Sequence, residues 1–304
     1  KTETMADEKD TIKTKLAELA DRLLDLIPAR GRVDWSKTVA AVWQRDQWHG
    51  SFQPAQRVDD ITLDDLLEIE QQKDAIVTNT AQFCAGHPAN NALLWGSRGT
   101  GKSSLIHAVL NHFAERGLRM VEVDKRALAD IAEIATAVAD EPYRYLVVCD
   151  DLSFESDDPS YKELKSALEG SVFKAAGNVL IYATSNRRHL IPEHMSDNLA
   201  ATHKDGELHQ GEAVEEKISL SDRFGLWLSF YPFRQPQYLN VVRYWLDRLG
   251  ADHGLDIRWD EPIEKEALRW ALARGVRSGR TANHFARHWV GQRLLESGPS
   301  GTDD

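Results

Sequence analysis

Gly96-Ser97-Arg98-Gly99-Thr100-Gly101-Lys102-Ser103 is the stretch that decides the fold. It fits GxxxxGK[ST] in full. It sits between a short apolar run, ALLWG at 92–96, and a segment of helical character beginning near Ser103. Strand, glycine-rich turn and helix in that order make a phosphate cradle. The glycines let backbone N–H groups turn inward, and the helix N-terminus adds positive potential. Residues 96–104, Ser104 included, would wrap the phosphates of ATP. Lys102 would reach the β- and γ-phosphates, and the Ser103 hydroxyl would ligate Mg2+.

The next informative stretch is Tyr145-Leu146-Val147-Val148-Cys149-Asp150-Asp151, an apolar strand ending in two carboxylates. Such a strand delivers Asp150 to the water shell of the metal at the sheet's C-terminal edge. Neighbouring side chains at a strand end point apart, which leaves Asp151 to orient the attacking water. Glutamate is more usual at that second position. Asp151 is one methylene shorter, so nearby Glu155 is a substitute for the same task. Cys149 reads as a small buried strand residue, not a nucleophile.

Outward from these two strands, short apolar runs alternate with helical stretches. MVEVD at 120–124, VLIYAT at 179–184 and GLWLSF at 225–230 read as further strands. The alternation predicts a parallel sheet between helices. After Pro236 only helical patterns remain, with faces at Tyr238, Val241, Val242 and Trp245, at Ile263, Ala267, Trp270 and Ala271, and at Phe285, Trp289 and Leu294. Residues 192–216, rich in His, Asp, Glu and Gly, read as a long excursion. Before the sheet, Ile12, Leu16, Leu19, Leu23 and Ile27 recur at helical spacing, and a second helix is expected after Asp34 with Trp35, Val39, Val42 and Trp43 on one side.

The expected architecture is therefore α/β, a P-loop parallel sheet flanked by helices. A helical extension spans residues 1–57, the nucleotide-binding domain 58–234 and a small all-helical lid 235–297, with a loose tail at 298–304.

Composition limits the partners. The 304 residues are 42% hydrophobic and 28% charged, the balance of an ordinary globular protein. No apolar run approaches the roughly 20 residues of a membrane span, and residues 1–10 show no apolar signal region. Two cysteines, Cys84 and Cys149, suggest neither a disulfide framework nor a zinc knuckle, so a cytoplasmic setting is expected. A net charge of −11 disfavours loose binding to nucleic acid, while leaving room for a local basic surface at Arg187, Arg188 and His189. The pair His284 and His288 shares a helix face, but Phe285 and Trp289 beside it point to packing and not to a metal.

The order of these strands, with Asn186 following Ala183-Thr184-Ser185, resembles the AAA+ ATPase superfamily. More closely, Pro88-Ala89-Asn90-Asn91 before LLWGSRGTGKSS, the run CDDLSFE and EEKISLSDRFGLWLSFYPF resemble a bacterial predicted-ATPase family catalogued as domain of unknown function 815, over about residues 58–287. The resemblance implies further roles. The 63–70 segment, LDDLLEIE, would pack near adenine through Leu66 and Leu67. Asn186 matches sensor 1, which holds the γ-phosphate or the attacking water. Arg223 in Ser221-Asp222-Arg223-Phe224 matches an arginine finger offered to a neighbouring subunit, and Arg280 matches sensor 2 on the lid.

The expected function is Mg2+-dependent ATP hydrolysis by a homo-oligomer, with Lys102, Asp151, Asn186, Arg223 and Arg280 as its catalytic set and a macromolecular client that the residues leave open. No aromatic–hydrophobic–glycine pore loop follows the second strand, which weakens a polypeptide-threading role. A nucleotide-dependent switch with little hydrolysis and a DNA-associated loader are the alternatives.

Overall fold

A computed structural model describes residues 33–46, 49–154, 160–168, 177–187, 202–204, 207–209 and 222–297. The first expected helix, Glu155, Arg188, His189, Ser221, the tail and most of the 192–216 excursion lie outside the described residues.

The centre is a seven-stranded sheet in the order β2-β1-β4-β5-β6-β3-β9. Its strands are β1 (Ala40–Arg45), β2 (Gly50–Pro54), β3 (Ala92–Gly96), β4 (Leu118–Glu122), β5 (Arg144–Cys149), β6 (Val179–Ser185) and β9 (Leu226–Phe230). Every neighbouring pair is parallel except β1–β2. A separate antiparallel pair, β7 (Thr202–Lys204) and β8 (Glu207–His209), lies inside the expected excursion. The expected strands are all present, although β4 begins two residues earlier than its apolar run.

Strand periodicity divides the core in two. From β3 and β5, Ala92, Leu94, Leu146 and Val148 face one apolar cluster with α1 (Glu70–Cys84) and α2 (Lys102–Phe113). Leu93, Tyr145, Val147 and Cys149 face the other, with α3 (Ile131–Ala137) and α4 (Ser160–Leu168). The first cluster continues without a break into the three C-terminal helices α5 (Gln235–Asp252), α6 (Glu261–Ala273) and α7 (Gly279–Ser297), through Phe233, Tyr238, Val242, Ala267 and Phe285. The C-terminal region is helical, as its patterns required, and it shares the sheet's core. His288 on α7 stacks on Trp270, with ring centroids 4.8 Å apart. Among the described residues no helix is long and apolar enough to cross a membrane.

The expected second N-terminal helix is not formed. Asp34 caps a single turn, accepting from the Ser36 N–H at 3.1 Å, and the chain then enters β1. The spacing of Trp35, Val39, Val42 and Trp43 satisfies a helix by coincidence. What wins is period two, which puts Ala41 and Trp43 together on one buried face while the β-branched Val39 and Val42 suit a pleated strand. β1 adds to the edge of the main sheet beside β4, so the sheet begins at Ala40 and not after residue 57.

A buried carboxylate locks this hairpin down. Trp43 Nε1 donates to Asp130 Oδ2 at 2.9 Å, and Arg45 pairs with Oδ1 of the same side chain. Asp130→Ala would leave the buried indole N–H without an acceptor, at a cost of about 2 kcal/mol. A fall in the urea midpoint of the whole domain is expected, with Asp130→Asn recovering part of it. An unchanged midpoint would mean that the hairpin is not integral to the core.

Candidate functional site

The glycine-rich turn begins where β3 ends. Ser97 N–H donates to the Phe230 carbonyl at 2.9 Å, so the turn is tied to the neighbouring strand β9 from its second residue. Gly99 and Gly101 have φ of 75° and 102°, left-handed values that glycine adopts without strain. Thr100 Oγ1 donates to Ser97 O at 2.7 Å and braces the turn internally.

Lys102 opens α2 and bends back over the turn. Its ammonium donates to Gly96 O at 2.9 Å, to Ser97 O at 2.8 Å and to Asn186 Oδ1 at 3.2 Å. Burial pulls its pKa below the ordinary lysine value. Asp150 and Asp151 push it back up, and the nearby cations of Arg280 and Arg98 lower it further. A phosphate would relieve that crowding of positive charge.

On the far side of the turn, β5 and β6 bring oxygen ligands together. Asp150 Oδ1 accepts from Ser103 Oγ at 2.6 Å and from Thr184 Oγ1 at 2.5 Å. A carboxylate and a hydroxyl this close are hard oxygen donors of the kind Mg2+ takes, so the residues fit the expected metal. Thr184 also accepts from the Asp151 N–H at 2.9 Å, which fixes Asp151 in the left-handed region at φ 51°. The Asp151 carboxylate accepts from Asn186 Nδ2 and lies 3.7 Å from Arg98 Nη2. Burial holds the Cys149 thiol protonated, its pKa pushed up to about 12, so it is unsuited to nucleophilic work.

The lid closes over the turn by backbone bonds. Arg280 N–H donates to Gly99 O at 3.0 Å, and Phe233 N–H donates to Arg277 O at 2.8 Å. Between sheet and lid lies a cavity of about 670 Å³. Leu66, Leu67 and Ile69 contribute apolar lining, as do Val241, Trp245 and Leu249 from α5. Each expected residue of 96–104 except Gly96 and Ser97 also lines it, as do Asp150, Asp151, Asn186 and Arg280.

Arg223 does not line this cavity. It precedes β9, at the opposite end from the turn, and β9 runs in register with β3, Gly96 facing Phe230. One strand length, about 17 Å at roughly 3.3 Å per residue, separates it from its own chain's phosphate cradle.

Sequence reasoning missed several residues here. Thr184 was visible only as the tail of a strand. Asp65, inside the LDDLLEIE segment, is 4% exposed and joins the two halves of the cavity. It accepts from Thr62 N–H at 2.7 Å and Thr62 Oγ1 at 2.9 Å on its own segment, and from Tyr244 and Arg248 of α5. Asn240 Nδ2 adds a bond to Glu68 Oε1 at 2.8 Å. A conspicuous signal was absent, because one aspartate among Asp64 and Asp65 carries no mark of burial.

Residues 36–293 match a family described as "Protein of unknown function (DUF815)". Among solved structures, a RuvB variant of Thermotoga maritima superposes with a TM-score of 0.53 and 14% identity, covering 79% of this chain and 67% of that one. The ORC1 protein of Aeropyrum pernix, in complex with DNA, gives 0.52 and 16%, covering 75% and 61%. A stretch of 79 residues, 25% of this chain, is 33% identical to the Replication factor C large subunit of Ignicoccus hospitalis and spans 17% of that protein. At these identities the solved structures speak to fold, and the fold is the AAA+ P-loop architecture that the motifs implied.

Asp65→Ala would strip Arg248, Tyr244 and Thr62 of their shared acceptor, for an expected loss of about 2–3 kcal/mol by urea denaturation. A weaker affinity for ADP should accompany it, because the Asp65 segment and α5 are no longer pinned together. A neutral result in both measurements would deny Asp65 its joining role.

Proposed function

Because the chain belongs to the DUF815 family and has the AAA+ fold, we propose that it binds and hydrolyses ATP with Mg2+, as an assembly of copies that moves or remodels a macromolecular partner. The observation that carries the reading is the convergence of Lys102, Ser103, Asp150, Thr184 and Asn186 on one point beside the glycine-rich turn. Lys102 binds the β- and γ-phosphates, for which its bonds to Gly96 and Ser97 hold it in place. Ser103 and Asp150 hold the metal, which neutralises phosphate charge and fixes its orientation. Asn186 and Asp151 position the water. Leu66 and Leu67 pack against the base, in the cavity that Trp245 also lines.

Two arginines complete the site from different directions. Arg280 is carried by the lid, whose helix start is bonded to the turn. Arg223, a strand length from its own cradle, serves the site of an adjacent copy, where a trans arginine contributes several powers of ten in rate. An isolated copy is accordingly slow.

A second reading, a nucleotide-dependent switch with little turnover, is favoured by Asp151, whose short side chain is fixed by its backbone and by Asn186. The client stays at the level of class. The names of the similar proteins make DNA the first to test, against the chain's own net charge of −11.

ATP turnover measured across a wide range of protein concentrations, with Lys102→Ala as the blank, tests the reading. A specific rate that rises with concentration, vanishes in the blank and falls at least a hundredfold (roughly) in Arg223→Ala is expected. A near-zero rate at every concentration despite ATP binding supports the switch instead. An unchanged rate in assembled Arg223→Ala would remove the trans arginine.

A further inference from the structure

Arg98 occupies the second variable position of the glycine-rich turn, and its side chain is 76% exposed. Its guanidinium reaches across to Asp151, with Nη2 3.7 Å from Oδ2. The other oxygen of the same carboxylate, Oδ1, accepts from Asn186 Nδ2. Each oxygen of Asp151 therefore faces a donor of its own chain. Each oxygen keeps further lone pairs, but the guanidinium beside Oδ2 takes up one of the approaches that an attacking water would use.

Asp151 has little freedom to find another solution. Its backbone is held at φ 51° with the N–H bonded to Thr184, so only rotation about its own short side chain remains. Asn186 is unsuited to let go, because its Oδ1 also accepts from Lys102 and keeps it between the two. Arg98 is the donor that can leave. An ion pair exposed on both sides is weak, whereas a guanidinium binds a phosphate through two parallel N–H···O bonds. Lys102, Asn186, Asp151 and Arg98 are linked in that order around one side of the turn, where a terminal phosphate would sit beside Lys102. The cations of Arg98 and Arg280 both act on the Lys102 ammonium, which puts all three within one electrostatic neighbourhood.

We propose that Arg98 reads the terminal phosphate of the nucleotide: ATP draws its guanidinium away from Asp151 Oδ2, and that oxygen becomes available to the attacking water. ADP offers no such phosphate and leaves the pair in place. Discrimination between ATP and ADP and the arming of Asp151 are then one event, carried by a residue that belongs to the cradle itself. No covalent bond changes in this exchange; one ion pair is traded for another. The inference rests on the reading of the site as an ATPase in which Asp151 positions water.

Calorimetric titration of the full chain with ATPγS and with ADP, in Mg2+, provides the test, using the natural sequence, Arg98→Ala, Arg98→Lys, Asp151→Asn and the Arg98→Ala/Asp151→Asn double variant. Arg98→Ala should weaken ATPγS about tenfold and leave ADP within about twofold, with Arg98→Lys recovering part of the loss. Asp151→Asn, by removing the competitor, should tighten ATPγS several-fold, and that gain should disappear in the double variant. In turnover, Arg98→Ala should raise KM without lowering kcat, because Oδ2 is then released from its pair before ATP binds. Equal weakening of both nucleotides, or of neither, overturns the inference, as does a gain in Asp151→Asn that survives without Arg98. Lys102→Ala keeps the two levels apart: if the natural sequence binds neither nucleotide, the ATPase reading fails. If it binds both and Lys102→Ala does not, while Arg98→Ala shows no selectivity, only the role of Arg98 fails.

Discussion

At the end of β3 the Gly96 α-carbon comes so close to the neighbouring strand that a β-carbon would stand 1.9 Å from the Phe230 carbonyl oxygen. Gly96 is at φ 133°, which only glycine takes readily, and the next residue spends its N–H on that same carbonyl. This contact fixes the point at which the strand stops and the glycine-rich turn starts. The positions of Lys102 and Ser103 follow from it, since α2 begins at Lys102 with no slack between. Phe230 also leads directly into Phe233 and α5, so the same contact sets where the lid departs. One glycine thus orients both halves of the cavity.

The cavity is held closed by unlike means at its two ends. Near the cradle the bonds are between backbones, from Arg280 to Gly99 and from Phe233 to Arg277, and they are indifferent to side chains. At the far end a single buried aspartate, Asp65, gathers donors from its own segment and from α5. A backbone bond leaves geometry little choice, while a shared carboxylate tolerates small shifts of its donors. The end at Asp65 is the more adaptable of the two, and the end at the glycine-rich turn is the more exacting.

The glycine-rich turn, the paired aspartates and the C-terminal helices were legible because each is local: a few adjacent residues of the right type suffice to define it. Arg280 was offered only by the family resemblance, and it stands in the first turn of the last helix. β1 was not legible, since its partner Met120 lies far downstream and the run around Trp43 satisfies helical spacing as well as strand alternation. Nor was the work of Asn90 and Asn91, a pair quotable as a pattern but without an evident task. Asn91 Oδ1 accepts from the Ile181 N–H at 2.8 Å and its carbonyl from Leu226, while Asn90 N–H bonds to Asn79 on α1. They stitch β6, β9 and a helix together, and no single segment reveals a stitch. Asp65 and Thr184 were hidden in the same way, because burial is decided by what packs on a residue from elsewhere.

The bond from Arg280 to Gly99 has a mechanical side. α7 runs for 19 residues from that point, a rod of about 28 Å at roughly 1.5 Å per residue. Pinned at one end to the cradle, it is a lever whose short arm is the turn and whose long arm ends near Ser297. A tilt of about 5° at the cradle carries the far end through about 2.5 Å along that length. A displacement too small to notice at the turn is therefore large enough at the tip to open or close a contact with whatever lies against it.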